Sequence, residues 1–255
     1  MSASPDLTEG AELLQIAEAV VLAAAPLAES GRRIEQDLER DVKVAADCAI
    51  HDAVRSALLA TDIPIQSEED PGGWNSSVTG LRWILDPLDG SVNLSRGIPL
   101  YCISLALWYN EDPVLGVIHD LCRTETFTGL MGVGASLDGY RISSSSISNP
   151  QSAVLCTGFP VGTNFSEAAL TEFVRRIQEF KKVRLFGSAA LSLAWVSCGR
   201  ADVYIEEGIA LWDIAAGLAL VRASGGIAHL RPYGESGRLT VIAGSPELCE
   251  GLCEV

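Results

Sequence analysis

The chain has 255 residues, of which 48% are hydrophobic, and it carries 33 acidic against 18 basic residues for a net charge of −15. A chain of this length and apolar content can bury the core of one large domain or of two closely packed ones. The negative charge would repel both a nucleic-acid backbone and an anionic bilayer, so we expect neither nucleic acid nor a membrane as partner.

Cysteine usage and the N-terminal region both favour a cytoplasmic protein. The seven cysteines are odd in number, scattered and mostly embedded in apolar runs, as expected of reduced core residues. The N-terminus has no basic region of the kind that begins a secretory signal. The apolar segment 11–27 carries Glu12, Glu18 and Pro26, so we expect it to be neither long nor clean enough to span a membrane.

The first 70 residues predict two helices and a short strand that ends on acids. Apolar positions at helical spacing predict helices over 6–29 and over about 41–59, and the second would hold Asp47 on rigid backbone. A strand at 63–66 is followed by Glu68, Glu69 and Asp70. Adjacent carboxylates repel one another unless solvent separates them or a cation such as Mg²⁺ neutralises them, so this run indicates either a surface turn or a metal site.

The chain is organised around residues 83–91, Trp-Ile-Leu-Asp-Pro-Leu-Asp-Gly-Ser, where an apolar run stops on two carboxylates and a glycine. We expect Pro87 to end the strand, which places Asp86 at the strand end and Asp89 in the turn that follows. Gly90 permits a tight turn, and Ser91 begins a helical turn whose free N–H groups would face an anion. The stretch predicts a metal site beside a phosphate site, and its structural alternative is an ordinary turn.

The remainder of the chain predicts an antiparallel sheet and a region of alternating strands and helices, joined by a connector. Short β-rich runs between 101 and 142 predict an antiparallel sheet. The serine-rich connector 143–150 is the predicted boundary between an N-terminal half, 1–145, and a C-terminal half, 146–255, of one compact unit. The C-terminal half alternates predicted strands (153–156, 183–186, 203–206, 227–230 and 239–243) with predicted helices (166–180, 190–198, 213–223 and one from 246).

Asp213 is predicted at the N-cap of the helix 213–223, a position where an aspartate has an ordinary structural role. Helices on either side of strands, with parallel and antiparallel textures mixed, predict an α/β (α+β) fold in the form of a layered sandwich.

Three motifs in a fixed order resemble those of the inositol monophosphatase family of Mg²⁺-dependent, lithium-sensitive sugar phosphatases. They are Glu68-Glu69, residues 86–91 (Asp-Pro-Leu-Asp-Gly-Ser) and residues 212–217 (Trp-Asp-Ile-Ala-Ala-Gly). The resemblance covers nearly the whole chain. It implies a layered α-β-α-β-α sandwich of the inositol monophosphatase and fructose-1,6-bisphosphatase type, and a homodimer.

The resemblance also implies the ligands of two Mg²⁺ ions. They are Glu68, Asp86 and the Leu88 carbonyl for one ion, and Asp86, Asp89 and Asp213 for the other. Asp86 would bridge them, because two cations roughly 3.5–4 Å apart repel strongly unless shared carboxylate stands between them. Glu69 and Asp47 would complete the shell and could hold a third, weaker ion through water.

By the same resemblance, a metal-activated water hydrolyses a phosphate monoester. The implied catalytic residues are Asp47, Glu69 and Ser91. The implied substrate-binding residues are Gly90 and Ser91, whose N–H groups hold the phosphate, together with Gly187, Ser188, Ala189 and Glu206. Glu206 lies seven residues before Asp213 and would hydrogen-bond a polyol. A carboxylate facing ring hydroxyls favours inositol monophosphate or a related sugar, cyclitol or polyol phosphate.

Two departures from the family pattern concern the third ion and the substrate. Val44 stands where the family commonly has threonine, and residues 34–37, Ile-Glu-Gln-Asp, lack the lysine often found before this segment. Alternative substrates for the same machinery are histidinol phosphate, fructose 1,6-bisphosphate and adenosine 3',5'-bisphosphate. An alternative of another class is a catalytically silent, metal-binding regulatory protein.

Overall fold

The computed structural model describes residues 4–30, 33–37, 42–70, 79–234 and 237–253. Its helices are α1 Leu7–Ala24, α2 Leu27–Ser30, α3 Ala45–Leu58, α4 Ser91–Arg96, α5 Glu167–Ile177, α6 Ala189–Ser197, α7 Leu211–Ala223 and α8 Pro246–Cys253. Its strands are β1 Ile34–Asp37, β2 Val42–Val44, β3 Ile65–Ser67, β4 Leu81–Asp89, β5 Cys102–Tyr109, β6 Asp112–Asp120, β7 Glu125–Leu130, β8 Gly134–Leu137, β9 Tyr140–Ile142, β10 Val154–Cys156, β11 Lys182–Arg184, β12 Val203–Ile209, β13 Ile227–Tyr233 and β14 Arg238–Gly244.

The N-terminal half is built on a seven-stranded sheet with the strand order β3-β4-β5-β6-β7-β8-β9. Strand β3 runs parallel to β4, and every later pair is antiparallel. The antiparallel sheet predicted for residues 101–142 is therefore confirmed. Strands β4 to β7 are buried along almost their whole length rather than on alternate residues, which requires helices on both faces of the sheet.

The C-terminal half is built on a five-stranded sheet with the order β11-β10-β12-β14-β13. Strands β11, β10 and β12 are parallel to one another, whereas β14 pairs antiparallel with both β12 and β13. A small separate pair, β1 and β2, precedes α3.

Five layers stack around these two sheets, which confirms the predicted α-β-α-β-α sandwich. Helices α1 and α3 pack on one face of the seven-stranded sheet. Helices α6 and α7 lie between the two sheets, and α8 packs on the far face of the five-stranded sheet with the end of α5. Helix α7 reaches the sheet closely because β6 has Gly116 at the crossing, where a Cβ atom would lie only 2.4 Å from the carbonyl oxygen of Ala216.

The core between the sheets contains side chains from both predicted halves, for example Trp108 and Phe127 with Leu193 and Leu218. The polar connector at 143–149 joins β9 to the short 3₁₀ turn Pro150–Ser152. The division of the unit at residue 145 stays a prediction.

The N-terminal helix corrects one expectation. Among the described residues, the stretch Leu7–Glu29 is, at 23 residues, long and apolar enough to cross a membrane by length and composition, contrary to the expectation drawn from Glu12, Glu18 and Pro26. In the structure, however, Leu13, Ala17 and Val21 are buried against the first sheet. We therefore assign α1 to the core, with the side chain of Asp6 capping its N-terminus.

Strand β4 does not end where the sequence predicted. It continues through Pro87 to Asp89, so both Asp86 and Asp89 belong to the strand. The proline is tolerated because β3 pairs with β4 only as far as Leu85, and the pairing with β5 is irregular between Asp86 and Asp89. Its missing N–H therefore falls where the ladder is interrupted.

Two helices also begin at other residues than predicted. Helix α3 begins at Ala45, because residues 42–44 form β2; Asp41 lies outside the described residues. Helix α7 begins at Leu211, which makes Asp213 its third residue rather than its N-cap. Asp213 still serves this helix end, since one of its oxygens accepts a hydrogen bond from the N–H of Ala210 at 3.3 Å.

Candidate active site

The structure gathers every site residue named from the sequence around one cavity of about 330 Å³. These residues are Asp47, Glu68, Glu69, Asp86, Leu88, Asp89, Gly90, Ser91, Gly187, Ser188, Ala189, Glu206 and Asp213. They come from α3, the residues after β3, the end of β4, the start of α4, the start of α6, β12 and the start of α7. The cavity is thus assembled from elements that lie far apart in the sequence.

Three carboxylates of the cavity lie close together, and we call them the three-acid cluster: Glu68, Asp86 and Asp213. One oxygen from each lies within 4.8 Å of the others. Burial, followed by the charges of neighbouring acids, raises the pKa of Asp86 and of Asp213 well above the usual range. Crowded, poorly solvated carboxylate oxygens are the donor set that Mg²⁺ prefers, so the residues present fit such an ion.

Asp89 lines the cavity and also hydrogen-bonds the start of α6. Its Oδ2 accepts hydrogen bonds from the Ser188 hydroxyl and from the Ala190 N–H, both at 2.6 Å, and it thereby caps the start of α6. Burial raises the pKa of Asp89 to about 6, although the bonds from Ser188 and from the helix N–H groups oppose this. Asp89 lies in the cavity beside the three-acid cluster, and its role as a metal ligand stays a prediction.

Asp47 and Ser91, which were predicted to act together, are in direct contact. The Ser91 hydroxyl lies 2.9 Å from Asp47 Oδ1, while the other oxygen of Asp47 accepts from the Val44 N–H at 2.6 Å. The backbone at Val44 therefore supports this aspartate where the family commonly has a threonine. Burial raises the pKa of Asp47 to about 6.

The turn between β4 and α4 depends on a glycine. Gly90 has a φ of 97°, and a Cβ atom there would lie 2.7 Å from the carbonyl oxygen of Leu100. Buried Asn93 ties this turn to the opposite wall, because its amide donates to the carbonyls of Leu100 and of Phe186 at 2.8 Å each. Phe186 directly precedes Gly187, so both predicted phosphate and substrate segments are held together by one side chain.

Glu206 lines the same cavity from β12 and is only 7% exposed. The hydroxyl of Tyr204 donates to its Oε2 at 2.7 Å. Burial raises the pKa of Glu206 to about 7, and the bond from Tyr204 lowers it in part. Gly158 allows the carboxylate this position, because a Cβ atom there would lie 2.6 Å from Oε2.

Sequence reasoning missed two basic residues in the cavity wall, Lys43 and Arg238. The ammonium of Lys43 lies 2.6 Å from Glu69 Oε2, and Arg238 donates to the Gly208 carbonyl at 2.9 Å. The segment 157–161 was also missed. The available signal for Lys43 was its position four residues before Asp47, next to the Val44 departure.

Known proteins resemble the chain in sequence. The profile of the inositol monophosphatase family matches residues 6–252. Nus factor SuhB of Escherichia coli K12 is 32% identical over 227 residues, which cover 88% of this chain and 84% of that protein. Nus factor SuhB of Xylella fastidiosa is 44% identical over 147 residues, and this match spans 57% of the chain and 54%, about half, of that relative.

Solved structures resemble the chain as well. The inositol monophosphatase of an Anabaena (Nostoc) species has a TM-score of 0.80 with 29% identity, covering 98% of each chain. The extragenic suppressor protein suhB of Bartonella henselae has a TM-score of 0.81 with 26% identity, covering 94% of this chain and 96% of that one. With its three ordered motifs gathered in one cavity and the family profile matched over residues 6–252, the chain belongs to the inositol monophosphatase family.

Proposed function

We propose that this protein is a Mg²⁺-dependent phosphatase that hydrolyses inositol monophosphate or a related sugar, cyclitol or polyol phosphate. The observation that carries the proposal is the three-acid cluster, which faces the same cavity as the Asp47–Ser91 pair. A phosphatase of this kind needs cation ligands and a proton acceptor side by side.

The three-acid cluster would hold Mg²⁺, with Asp89, the Leu88 carbonyl and Glu69 beside it. Bound there, Mg²⁺ would supply positive charge to the phosphoryl oxygens and to the attacking and leaving oxygens. The chain itself would contribute positioning: the N–H groups of Gly90 and Ser91 would hold the phosphate at the start of α4.

Asp47 and Ser91 would manage the proton of the attacking water. The Ser91 hydroxyl lies 2.9 Å from Asp47 Oδ1 and 3.0 Å from the Leu88 carbonyl oxygen. When its proton is directed to Asp47, Ser91 Oγ would accept the water proton while Asp47 takes the proton of the serine. With a pKa of about 6, Asp47 is ionised at neutral pH and still basic enough for this transfer. Water would then add to phosphorus as the bond from phosphorus to the leaving oxygen breaks. The leaving oxygen would become the alcohol by taking up a proton through solvent, and Asp47 would return to its ionised form by releasing the proton that it had taken.

Glu206 would bind the alcohol part of the substrate. Tyr204 occupies its Oε2, which leaves Oε1 for a substrate hydroxyl, and Gly187, Ser188 and Ala189 line the same cavity. A carboxylate at this position favours a neutral polyol over a second phosphate, because two anions would repel there. This supports the monophosphates over fructose 1,6-bisphosphate and adenosine 3',5'-bisphosphate, and histidinol phosphate remains an alternative substrate.

Phosphate release tests the proposal directly. We expect turnover of inositol monophosphate with Mg²⁺ and none after chelation, and a panel containing the three alternative esters ranks the substrates. Asp213→Asn should lower kcat/KM by more than about 100-fold, because the change removes charge from the three-acid cluster. Full activity in this variant would contradict the proposed mechanism.

A matched pair on β12 tests the assignment of the polyol end. Glu206→Gln should raise KM for polyol phosphates, whereas Glu207→Gln should not, because Glu207 is exposed and pairs with Arg176 outside the cavity. Equal effects of the two variants would exclude Glu206 as a substrate contact.

A second candidate function comes from the relatives, which are named Nus factor SuhB. This name favours a binding role that the three-acid cluster does not explain. A nucleic-acid partner therefore remains an alternative, against the expectation from net charge. Stable Mg²⁺ binding without hydrolysis of any ester in the panel would favour that role. Lithium sensitivity, a homodimer and a cytoplasmic location rest on the resemblance and composition, and they stay predictions.

A further inference from the structure

Lys43 is a basic residue inside an otherwise acidic part of the cavity. It extends from β2, and its ammonium lies 2.6 Å from Glu69 Oε2, a short charge-assisted bond. The Lys43 side chain is 31% exposed and that of Glu69 only 11%, so the pair is partly withdrawn from solvent. A contact of this kind is stronger than an ordinary surface ion pair.

The neighbours of Lys43 keep it charged. A lysine side chain is ordinarily protonated at neutral pH, and the Lys43 ammonium is bonded to the Glu69 carboxylate in a cavity wall that also holds Glu68 and Asp47. The ammonium therefore contributes a permanent positive charge at the side of the cavity where Asp47 and Glu69 lie.

We propose that the Lys43 ammonium is a resident cation of this active site and excludes a further divalent ion from the space beside Asp47 and Glu69. Divalent ions would then bind only at the three-acid cluster and its Asp89 side. The inference rests on the proposed function, because it takes the cavity to be a site for divalent ions, but it concerns cation binding rather than turnover.

Two observations carry it. First, three of the four carboxylate oxygens of Asp47 and Glu69 are already engaged: both oxygens of Asp47 accept hydrogen bonds, and Glu69 Oε2 is held by Lys43. Second, an ion at Glu69 would have to displace the ammonium or bind beside it, and like charges at a few ångströms repel. Either route weakens binding of such an ion.

The test counts Mn²⁺ ions, which serve as a spectroscopic probe for Mg²⁺, by equilibrium binding with electron paramagnetic resonance of the free ion. Lys43→Met should bind one more Mn²⁺ per chain than the wild type. It should also bind the first ions about tenfold more tightly, because a neighbouring positive charge is gone.

Lys43→Arg retains the charge and should behave as the wild type. Lys182→Met is the matched control for loss of a lysine, because Lys182 is exposed on β11 away from the cavity and should leave binding unchanged. Lys43→Gln replaces Lys43→Met in the same measurement if the methionine variant does not fold.

Equal Mn²⁺ numbers and affinities in the wild type and Lys43→Met would overturn the inference, since the ammonium would then leave Glu69 whenever ions bind. If the wild-type chain binds no Mn²⁺, both this inference and the proposed metal centre are wrong. A chain that shows the expected difference but hydrolyses no ester contradicts only the proposed function.

Discussion

The three-acid cluster should destabilise the protein whenever no cation is present, and Asp86→Asn isolates this effect. Asp86 is 1% exposed and has an oxygen within 4.8 Å of oxygens on Glu68 and Asp213. Two unit charges at that distance repel by about 3 kcal/mol at an effective dielectric constant of about 20. Because burial already favours protonation of these acids, we expect a net gain of about 2 kcal/mol from the neutral amide.

The amide keeps the local geometry. Asp86 Oδ1 accepts from the Leu88 N–H at 3.0 Å, and the oxygen of asparagine can accept the same bond. In buffer with EDTA, Asp86→Asn should therefore raise Tm by about 4–8 °C for a domain of this size. With Mg²⁺ at a hundred times its Kd, the wild type should gain about 2.7 kcal/mol and the variant little, so the order of the two Tm values reverses.

Differential scanning fluorimetry in the two buffers measures this reversal, with Asp120→Asn as the matched control. Asp120 is also fully buried, but its carboxylate lies outside the cavity and pairs with Arg123 at 2.9 Å. Asp120→Asn should lower Tm in both buffers. If Asp86→Asn also lowers Tm in EDTA, or keeps the Mg²⁺ response, the cluster is not a strained cation site and the reasoning is wrong.

Three further predictions concern the cavity wall. In metal-free protein, burial raises the pKa of Glu206 from 4.5 to about 7. The contribution of Glu206 to stability is therefore complete below pH 4.5 and is lost as the pH rises to 7. Because glutamine does not ionise, the unfolding free energy of Glu206→Gln, measured by urea titration across that range, should fall by less than that of the wild type, with a difference on the order of 3 kcal/mol. An unchanged pH slope in the variant would contradict the assignment. Asn93→Ala should cost about 2 kcal/mol of unfolding free energy, because two partly buried carbonyls lose their donor, and it should raise KM. A loss of stability with an unaltered KM would show that the two walls are not coupled. Gly90→Ala should lower Tm further than Gly97→Ala, since both glycines have positive φ but only Gly90 approaches backbone, and equal Tm losses would mean that the approach to Leu100 is unimportant.

Local patterns predicted most of the elements, because helical and strand periodicity depends on neighbouring residues alone. The layered fold and the antiparallel sheet are confirmed on that basis. The predicted end of β4 was wrong, because the end of this strand depends on strand pairing and not on neighbouring residues alone. Whether a proline stops a strand depends on which strand pairs beside it, and β3 lies before an intervening segment of the chain. The N-cap of α7 was wrong by three residues, because a carboxylate serves a helix end from inside the first turn as well as from the cap.

Short motifs predicted the site residues, but only the tertiary structure brings these residues together in one cavity. Glu68 follows β3, Asp86 lies on β4 and Asp213 on α7, and the packing of α7 between the sheets brings their oxygens within 4.8 Å of one another. Lys43 was missed because its partner, Glu69, lies 26 residues further along the chain. A lysine has no local signature that distinguishes an internal counter-ion from a solvated side chain.

Helices α3, α6 and α7 all begin at the cavity, and each beginning meets an aspartate: Asp47, Asp89 and Asp213. The N-terminal end of a helix carries roughly half a unit of positive charge. Three such ends, fixed in place by the scaffold, offset part of the acidic charge before any ion arrives. The metal-free protein should therefore keep its fold, and any cation that the cavity binds should be able to exchange with solvent without unfolding of the chain.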